Sequence, residues 1–179
     1  MTEVRIATMS DAAAIAAIYA PYVLETAISF EEIPPAPSEI ARRISSTLED
    51  FPYLVFVDRG QVLGYAYGSV HRAKPAYRWS VETTLYVARQ AHRSGIGRAL
   101  YTTLLDLLKR QGFHSAFAGI VPPNEGSVGL HRSMGFSYLG TFREIGFKHG
   151  KWHHLDWWQR LLAEGPPSRD PIPFKLIRQ

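Results

Sequence analysis

The chain has no cysteine among its 179 residues. That absence excludes disulfides, Cys-ligated zinc, a thiol nucleophile and any cysteinyl acyl-enzyme. Long apolar runs are also lacking, and none approaches the ~20 residues of a membrane-spanning helix. The N-terminus, Met1-Thr2-Glu3-Val4-Arg5-Ile6, carries no apolar signal-peptide core, so the expectation is a cytoplasmic protein. Charge of one sign is scarce: a formal net charge of +4 permits anionic ligands but is too small and too evenly spread for nucleic acid. The nucleotide fingerprints are incomplete. Gly95 and Gly97 are followed by Leu100 where a dinucleotide fold would place a third glycine, and no Walker A run exists.

What is present fits one globular domain. The chain is 46% hydrophobic and 20% charged, long enough to bury a sizeable core. Val4 and Ile6 alternate with charged residues as a first strand. Ser10 is expected to cap a helix from Asp11 to about Tyr22, with Ile15, Ile18, Tyr19 and Tyr22 on one face. Beyond the breaker Pro34-Pro35-Ala36-Pro37, Ser38 is expected to cap a second helix ending near Asp50. Tyr53 to Val57 and Val62 to Val70 flank Asp58-Arg59-Gly60 as a hairpin, and Val81 to Val87 reads as a strand. Gly95 to Gln111 reads as a helix closed by Gly112. Ala116 to Val121 is a strand, Asn124 caps a short helix to Met134, and Tyr138 to Phe147 and Trp152 to Leu162 form two closing strands. The order βααβββαβαββ predicts a mixed α/β domain with antiparallel edges over residues 1–163, followed by a Pro-rich tail over 164–179.

The stretch Ala91-His92-Arg93-Ser94-Gly95-Ile96-Gly97-Arg98 lies between a strand and an amphipathic helix. Such a turn presents free backbone N–H groups to an anion. Glycine removes the Cβ that would obstruct it, and Arg93 and Arg98 add positive charge. On spacing alone, a tight turn that binds nothing is an equal alternative.

The element order with this turn resembles the GNAT acetyltransferases, α/β proteins that bind acetyl-CoA. Leu130-His131-Arg132-Ser133-Met134-Gly135-Phe136 resembles that family's helix ending in Gly-Phe. Gly146-Phe147-Lys148-His149-Gly150-Lys151-Trp152-His153 and Trp158-Gln159 resemble the phosphinothricin and methionine sulfone/sulfoximine N-acetyltransferases. So do Glu82 to Val87, Leu100-Tyr101-Thr102, Gln111-Gly112-Phe113 and Pro123-Asn124. The resemblance covers roughly Val4 to Leu162 and implies a homodimer without a metal.

It also implies roles. Arg93, Ser94, Gly95, Ile96, Gly97 and Arg98 would cradle the pyrophosphate, with His92 standing where the family has Gln or Arg. Leu85, Tyr86 and Val87 would meet the acyl group through their backbone, while Asn124 and Ser133 would touch CoA. Glu82 lies on the polar face of its strand with Ser80, Thr84 and Tyr86, and is the candidate general base. His131 is the candidate acid for the leaving thiolate. For the acceptor, Arg72, Lys74, Pro75 and Tyr77 lie in a basic loop suited to a carboxylate, Arg78 is a weaker candidate, and Phe30 is a second pocket wall. The expected reaction is direct attack by the α-amine of phosphinothricin, methionine sulfoximine, methionine sulfone or a similar amino acid. A polyamine, aminoglycoside or protein N-terminus as acceptor, or a non-catalytic acyl-CoA sensor, are the alternatives. The basic loop disfavours cationic acceptors. The aromatics Phe142, Phe147, Trp152, Trp157 and Trp158 are candidates for a dimer interface, and His149, His153 and His154 read as a structural turn rather than a zinc site.

Overall fold

A computed structural model describes residues 2–177. Seven strands form one sheet: β1 (Thr2–Ile6), β2 (Tyr53–Asp58), β3 (Gln61–Val70), β4 (Ser80–Val87), β5 (Ser115–Ile120), β6 (Ser137–Lys148) and β7 (Lys151–Leu161). Their spatial order is β1-β2-β3-β4-β5-β7-β6, and every pairing is antiparallel except β4 with β5. Four helices complete the domain: α1 (Ala12–Glu25), α2 (Pro37–Asp50), α3 (Ile96–Gln111) and α4 (Glu125–Ser133). The expected element order is observed.

Strand alternation divides the core in two. Tyr53, Val55 and Val57 of β2 pack with Ile15, Tyr19 and Tyr22 of α1 and Ile40 and Ile44 of α2. Leu54 faces the other way, with Val81 and Ala116, against Leu100, Leu104 and Leu108 of α3. Gly112 ends α3 in the left-handed conformation (φ 100°), as expected of a C′ glycine.

Two helix starts differ from expectation. Ser10 does not cap α1: a 3-10 turn over Met9–Asp11 precedes it, and the Thr8 N–H donates to Asp11 Oδ2 at 2.8 Å. Arg5 holds both oxygens of that carboxylate, at 2.8 and 2.7 Å. Ser38 does not cap α2, which opens one residue earlier with Pro37 in its first turn and no side-chain cap. Proline suits that place because its absent N–H would have had no helical partner.

The Pro-rich C-terminal segment lies against the domain. Phe174 is 1% exposed, within the α1/α2 core. The amide nitrogen of the buried Gln111 donates to the carbonyls of Asp50 and Ile172, at 2.7 and 2.8 Å.

Candidate active site

Two strands that pair and then part position the site. β4 pairs with β3 from Val81 to Val87, yet with β5 only over Ser80, Val81 and Glu82. Beyond Glu82↔Phe117, the last rung, β5 follows β7 and a cleft opens beside β4. In an antiparallel strand, alternate residues turn both backbone polar groups to the same neighbour. The Ala88 N–H donates to Leu63 O of β3 at 2.8 Å. Leu85 and Val87 therefore direct their N–H groups into the cleft. Tyr86 directs its backbone to β3 and contributes a ring instead, packed against Tyr19, Tyr22 and Tyr65 with centroids 4.9, 5.0 and 5.6 Å away.

The end of β4 is tied to α1 and to the following turn. Tyr22 Oη donates to Val87 O at 2.5 Å, and His92 Nε2 lies 2.7 Å from Tyr22 Oη and 3.2 Å from Val87 O. A proton on His92 Nε2 satisfies all three contacts. His92, the departure within the turn, thus fixes the turn to the carbonyl side of the cleft.

The turn itself has the features of an anion cradle. Arg93 and Gly95 are left-handed, with φ 62° and 84°, and α3 has no side-chain cap. The first helical bond runs from the Ala99 N–H to Gly95 O, which leaves the N–H groups of Ile96, Gly97 and Arg98 without helical partners. A Cβ on Gly95 would meet nothing within 4 Å, so the approach is open. Neither Arg93 nor Arg98 forms an ion pair among the described residues. Gly97 has a second use besides its free N–H: its Cβ would sit 2.9 Å from Leu130 Cδ2, so it also admits α4 against α3. Ser94 Oγ donates to Ala91 O at 2.6 Å within the turn, Ser133 Oγ donates to Leu130 O at 2.7 Å, and Asn124 Oδ1 caps α4 by accepting from the Ser127 N–H at 3.1 Å.

Glu82 stands where the strands part, with its side chain 34% exposed. Its Oε1 lies 3.0 Å from His71 Nδ1, a partner that sequence reasoning left unassigned in the basic loop. The His71 ring stacks on Phe117, with centroids 4.3 Å apart and planes 7° apart, and meets Tyr77 and Trp157 edge-on. The signal was the hairpin register: Ser69 opposes Glu82 on β4, so the chain leaving β3 runs beside that carboxylate.

His131 is placed elsewhere, on the α3 side of β4. It is 5% exposed, with Nε2 2.8 Å from Tyr101 Oη and Nδ1 2.8 Å from Ser127 O. A carbonyl only accepts, so Nδ1 carries the proton and Nε2 accepts from Tyr101. Burial pushes the imidazole below its ordinary pKa, partly offset by the bond to Ser127. Burial likewise raises the Tyr101 phenol, which also lies 3.3 Å from Thr83 Oγ1.

The acceptor-loop candidates Arg72, Lys74, Pro75 and Tyr77 line one exposed groove with Pro171, Ile172 and Pro173, and Tyr77 also reaches the His71 ring. Arg78 is held by Asp170 at 2.7 Å and lies over the Trp79 ring, while Arg72 and Lys74 form no ion pair among the described residues. Phe30 packs on Gly146, whose Cβ would lie 2.6 Å from its ring. Lys148, another residue without an expected role, donates from Nζ to the carbonyls of Val23, Ser29 and Glu31, at 2.6, 2.7 and 2.7 Å, and so fixes the segment bearing Phe30. His153 Nε2 lies 3.0 Å from Lys148 O, and the Glu144 N–H donates to His154 Nδ1 at 2.9 Å.

Open N–H groups and uncommitted guanidinium groups at the start of α3 fit a pyrophosphate, and the cleft leading from them along β4 fits an acyl arm. The comparisons with known proteins agree. Residues 4–157 match the model of the acetyltransferase (GNAT) domain. The chain is 39% identical to phosphinothricin N-acetyltransferase of Streptomyces viridochromogenes over 98% of its own length and 96% of the relative's. It is 34% identical to the L-methionine sulfoximine/L-methionine sulfone acetyltransferase of Salmonella typhimurium, over 90% and 95%. A crystal structure of the GNAT superfamily phosphinothricin acetyltransferase from Sinorhizobium meliloti, in complex with AcCoA, superposes with a TM-score of 0.90 at 37% identity, covering 99% of each chain. The chain belongs to the GNAT acetyltransferase family, as an acetyl-CoA-dependent N-acetyltransferase.

Proposed function

We propose that the protein acetylates the α-amine of a small amino acid carrying a second acidic or sulfonyl-like group, such as phosphinothricin, methionine sulfoximine or methionine sulfone. The observation that carries this reading is the position of Glu82, a carboxylate on the last β4 residue paired to β5, where the cleft begins. Acetyl-CoA supplies an activated acetyl group as a thioester. The N–H groups of Ile96, Gly97 and Arg98, with Arg93, hold the pyrophosphate, and the N–H groups of Leu85 and Val87 serve the acyl oxygen. Glu82 takes the proton of the acceptor's ammonium, so that the amine presents its lone pair. Arg72 and Lys74, uncommitted cations, are candidates for the acceptor's carboxylate, and Tyr77 and Phe30 for the pocket walls.

His131 has a positioning role in this reading. Both ring nitrogens are engaged, and it shares the buried side of β4 with Tyr101 and Thr83 rather than with Glu82. A thiol has a pKa near 8.5, so a thiolate leaves near neutral pH without an obligatory acid.

Glu82→Gln is expected to lower kcat with methionine sulfone by roughly 10²–10⁴-fold, with little change in KM for acetyl-CoA. Near-normal turnover removes Glu82 as the base. His131→Gln is expected to lose much less kcat than Glu82→Gln. A comparable loss at unchanged stability restores His131 as the acid. Acetylation of spermidine or an aminoglycoside in preference to every amino acid tested overturns the acceptor class.

The exposed apolar side chains along the β6/β7 edge support a homodimer. Tyr138, Leu139, Phe142, Ile145, Phe147 and Trp152 are exposed there, whereas Trp158 is buried and Trp157 packs on His71 and Phe142. Three of the five aromatics expected at an interface therefore remain candidates, Phe142, Phe147 and Trp152.

A further inference from the structure

We infer that His71 is the residue that positions Glu82: it donates from Nδ1 to Glu82 Oε1 and so orients the carboxylate, leaving the second oxygen for the acceptor's ammonium. The inference rests on the reading of Glu82 as the base and goes beyond it by naming what aims that base. An ionised carboxylate only accepts hydrogen bonds, so the 3.0 Å contact requires the proton on Nδ1 of His71.

Three aromatic walls from three elements fix the ring. Phe117 of β5 stacks on it at 4.3 Å, Tyr77 of the loop before β4 meets its edge at 6.2 Å, and Trp157 of β7 meets it at 5.7 Å. The side chain is only 12% exposed. A carboxylate at a strand edge, 34% exposed, otherwise samples several rotamers. A donor on a ring that cannot turn removes most of that freedom before substrate arrives. Two of the walls stand on β5 and β7, on the far side of the cleft from the strand that bears Glu82, so the aim of Glu82 is coupled to the splay itself. No other charged group contacts the imidazole among the described residues.

The test uses five proteins: the parent, His71→Phe, His71→Asn, Glu82→Gln and the double variant His71→Phe/Glu82→Gln. Phenylalanine keeps the stack on Phe117 and loses the donor. Asparagine places its amide nitrogen where Nδ1 stood. His71→Phe is expected to lower kcat roughly tenfold, with KM for acetyl-CoA and Tm unchanged, and His71→Asn to recover most of the loss. In the Glu82→Gln background, His71→Phe is expected to cost nothing more, because the two act as a unit. Imidazole 15N shifts of the parent are expected to report the Nδ1–H tautomer at His71, and this readout stands even where a variant fails to fold. Parental kcat in His71→Phe, an equal loss in both backgrounds, or an Nε2–H tautomer overturns the inference. Parental turnover in Glu82→Gln instead overturns the reading of the base, while the tautomer still reports whether the pair exists.

Discussion

His131 shows how a residue's chemistry is set by what surrounds it. On an exposed helix it would titrate freely and serve as an acid. Here it is buried beside Phe136, gives its proton to Ser127 O and accepts from Tyr101. Its pKa is depressed below the ordinary 6.5 by burial. The sign of the linkage follows. Above pH 6.5 the imidazole is neutral in both states and its full contribution is present. Below it the unfolded chain takes up a proton that the folded chain resists, and stability falls. The expected outcome is that the stability gap between the parent and His131→Gln, measured by urea unfolding, narrows as pH drops from 7.5 to 5. His131→Ala is expected to cost about 2–4 kcal/mol at pH 7.5, from a cavity and an unpaired Tyr101 hydroxyl. A pH-independent gap removes the buried neutral imidazole from the account. The spacing of His131 before Gly135 identified the position, but its neutral state depends on burial against residues such as Tyr101, thirty residues away.

At the scale of elements, the run Gly146 to His153 was recognisable as a motif while its physical cause was hidden. The cause is contact with α1 and the segment after it, more than a hundred residues earlier in the chain. Lys148 is 6% exposed and spends its three N–H donors on three carbonyls. Burial lowers its pKa, and Glu32 and Glu31 partly oppose that. Gly146 gives room to the Phe30 ring that this clamp presents. Gly146→Ala is expected to displace Phe30, cost about 1–3 kcal/mol and raise KM for the amino-acid acceptor more than KM for acetyl-CoA. Lys148→Met leaves the carbonyls unpaired at about 1–3 kcal/mol each, and limited proteolysis is expected to cut within residues 26–33. Unchanged acceptor KM in Gly146→Ala removes Phe30 from the pocket. Local pattern, by contrast, sufficed for the elements themselves. Alternation in Val81 to Val87 placed Glu82 and Tyr86 on one face and Thr83 and Leu85 on the other, and Gly112 marked the end of α3. The starts of α1 and α2 were not legible in the same way, because Asp11, held by Arg5, accepts from the Thr8 N–H ahead of α1 and Pro37 opens α2 ahead of Ser38.

For the molecule as a whole, one margin is covered and another is left open. By the ends of α2 and α3, the C-terminal segment folds back and adds Phe174 to the α1/α2 core, a contact that composition alone read as a tail. At one end of the sheet β6 is an edge strand with one ladder partner, β7. An edge of this length invites pairing with another chain unless charge, a bulge or a cover blunts it. β6 does carry a bulge, where the register shifts between Phe142 and Gly146 and Glu144 is left-handed at φ 52°. Among the described residues nothing covers the apolar side chains around it: Phe142, Ile145, Phe147 and Trp152 are each at least 45% exposed. So many exposed large apolar groups along one sheet edge are unusual for a lone domain. A symmetric interface would bury the same patch twice, and it would lie beside the Phe30 wall through Gly146. The parent is expected to run as a dimer in light scattering at micromolar concentration. Phe147→Glu with Trp152→Glu is expected to give a monomer that keeps its circular dichroism, because neither side chain belongs to the core. Its KM for the acceptor is expected to rise if the neighbouring copy steadies the hairpin behind Phe30. A parent that is monomeric at those concentrations, with full activity, rules out the dimer.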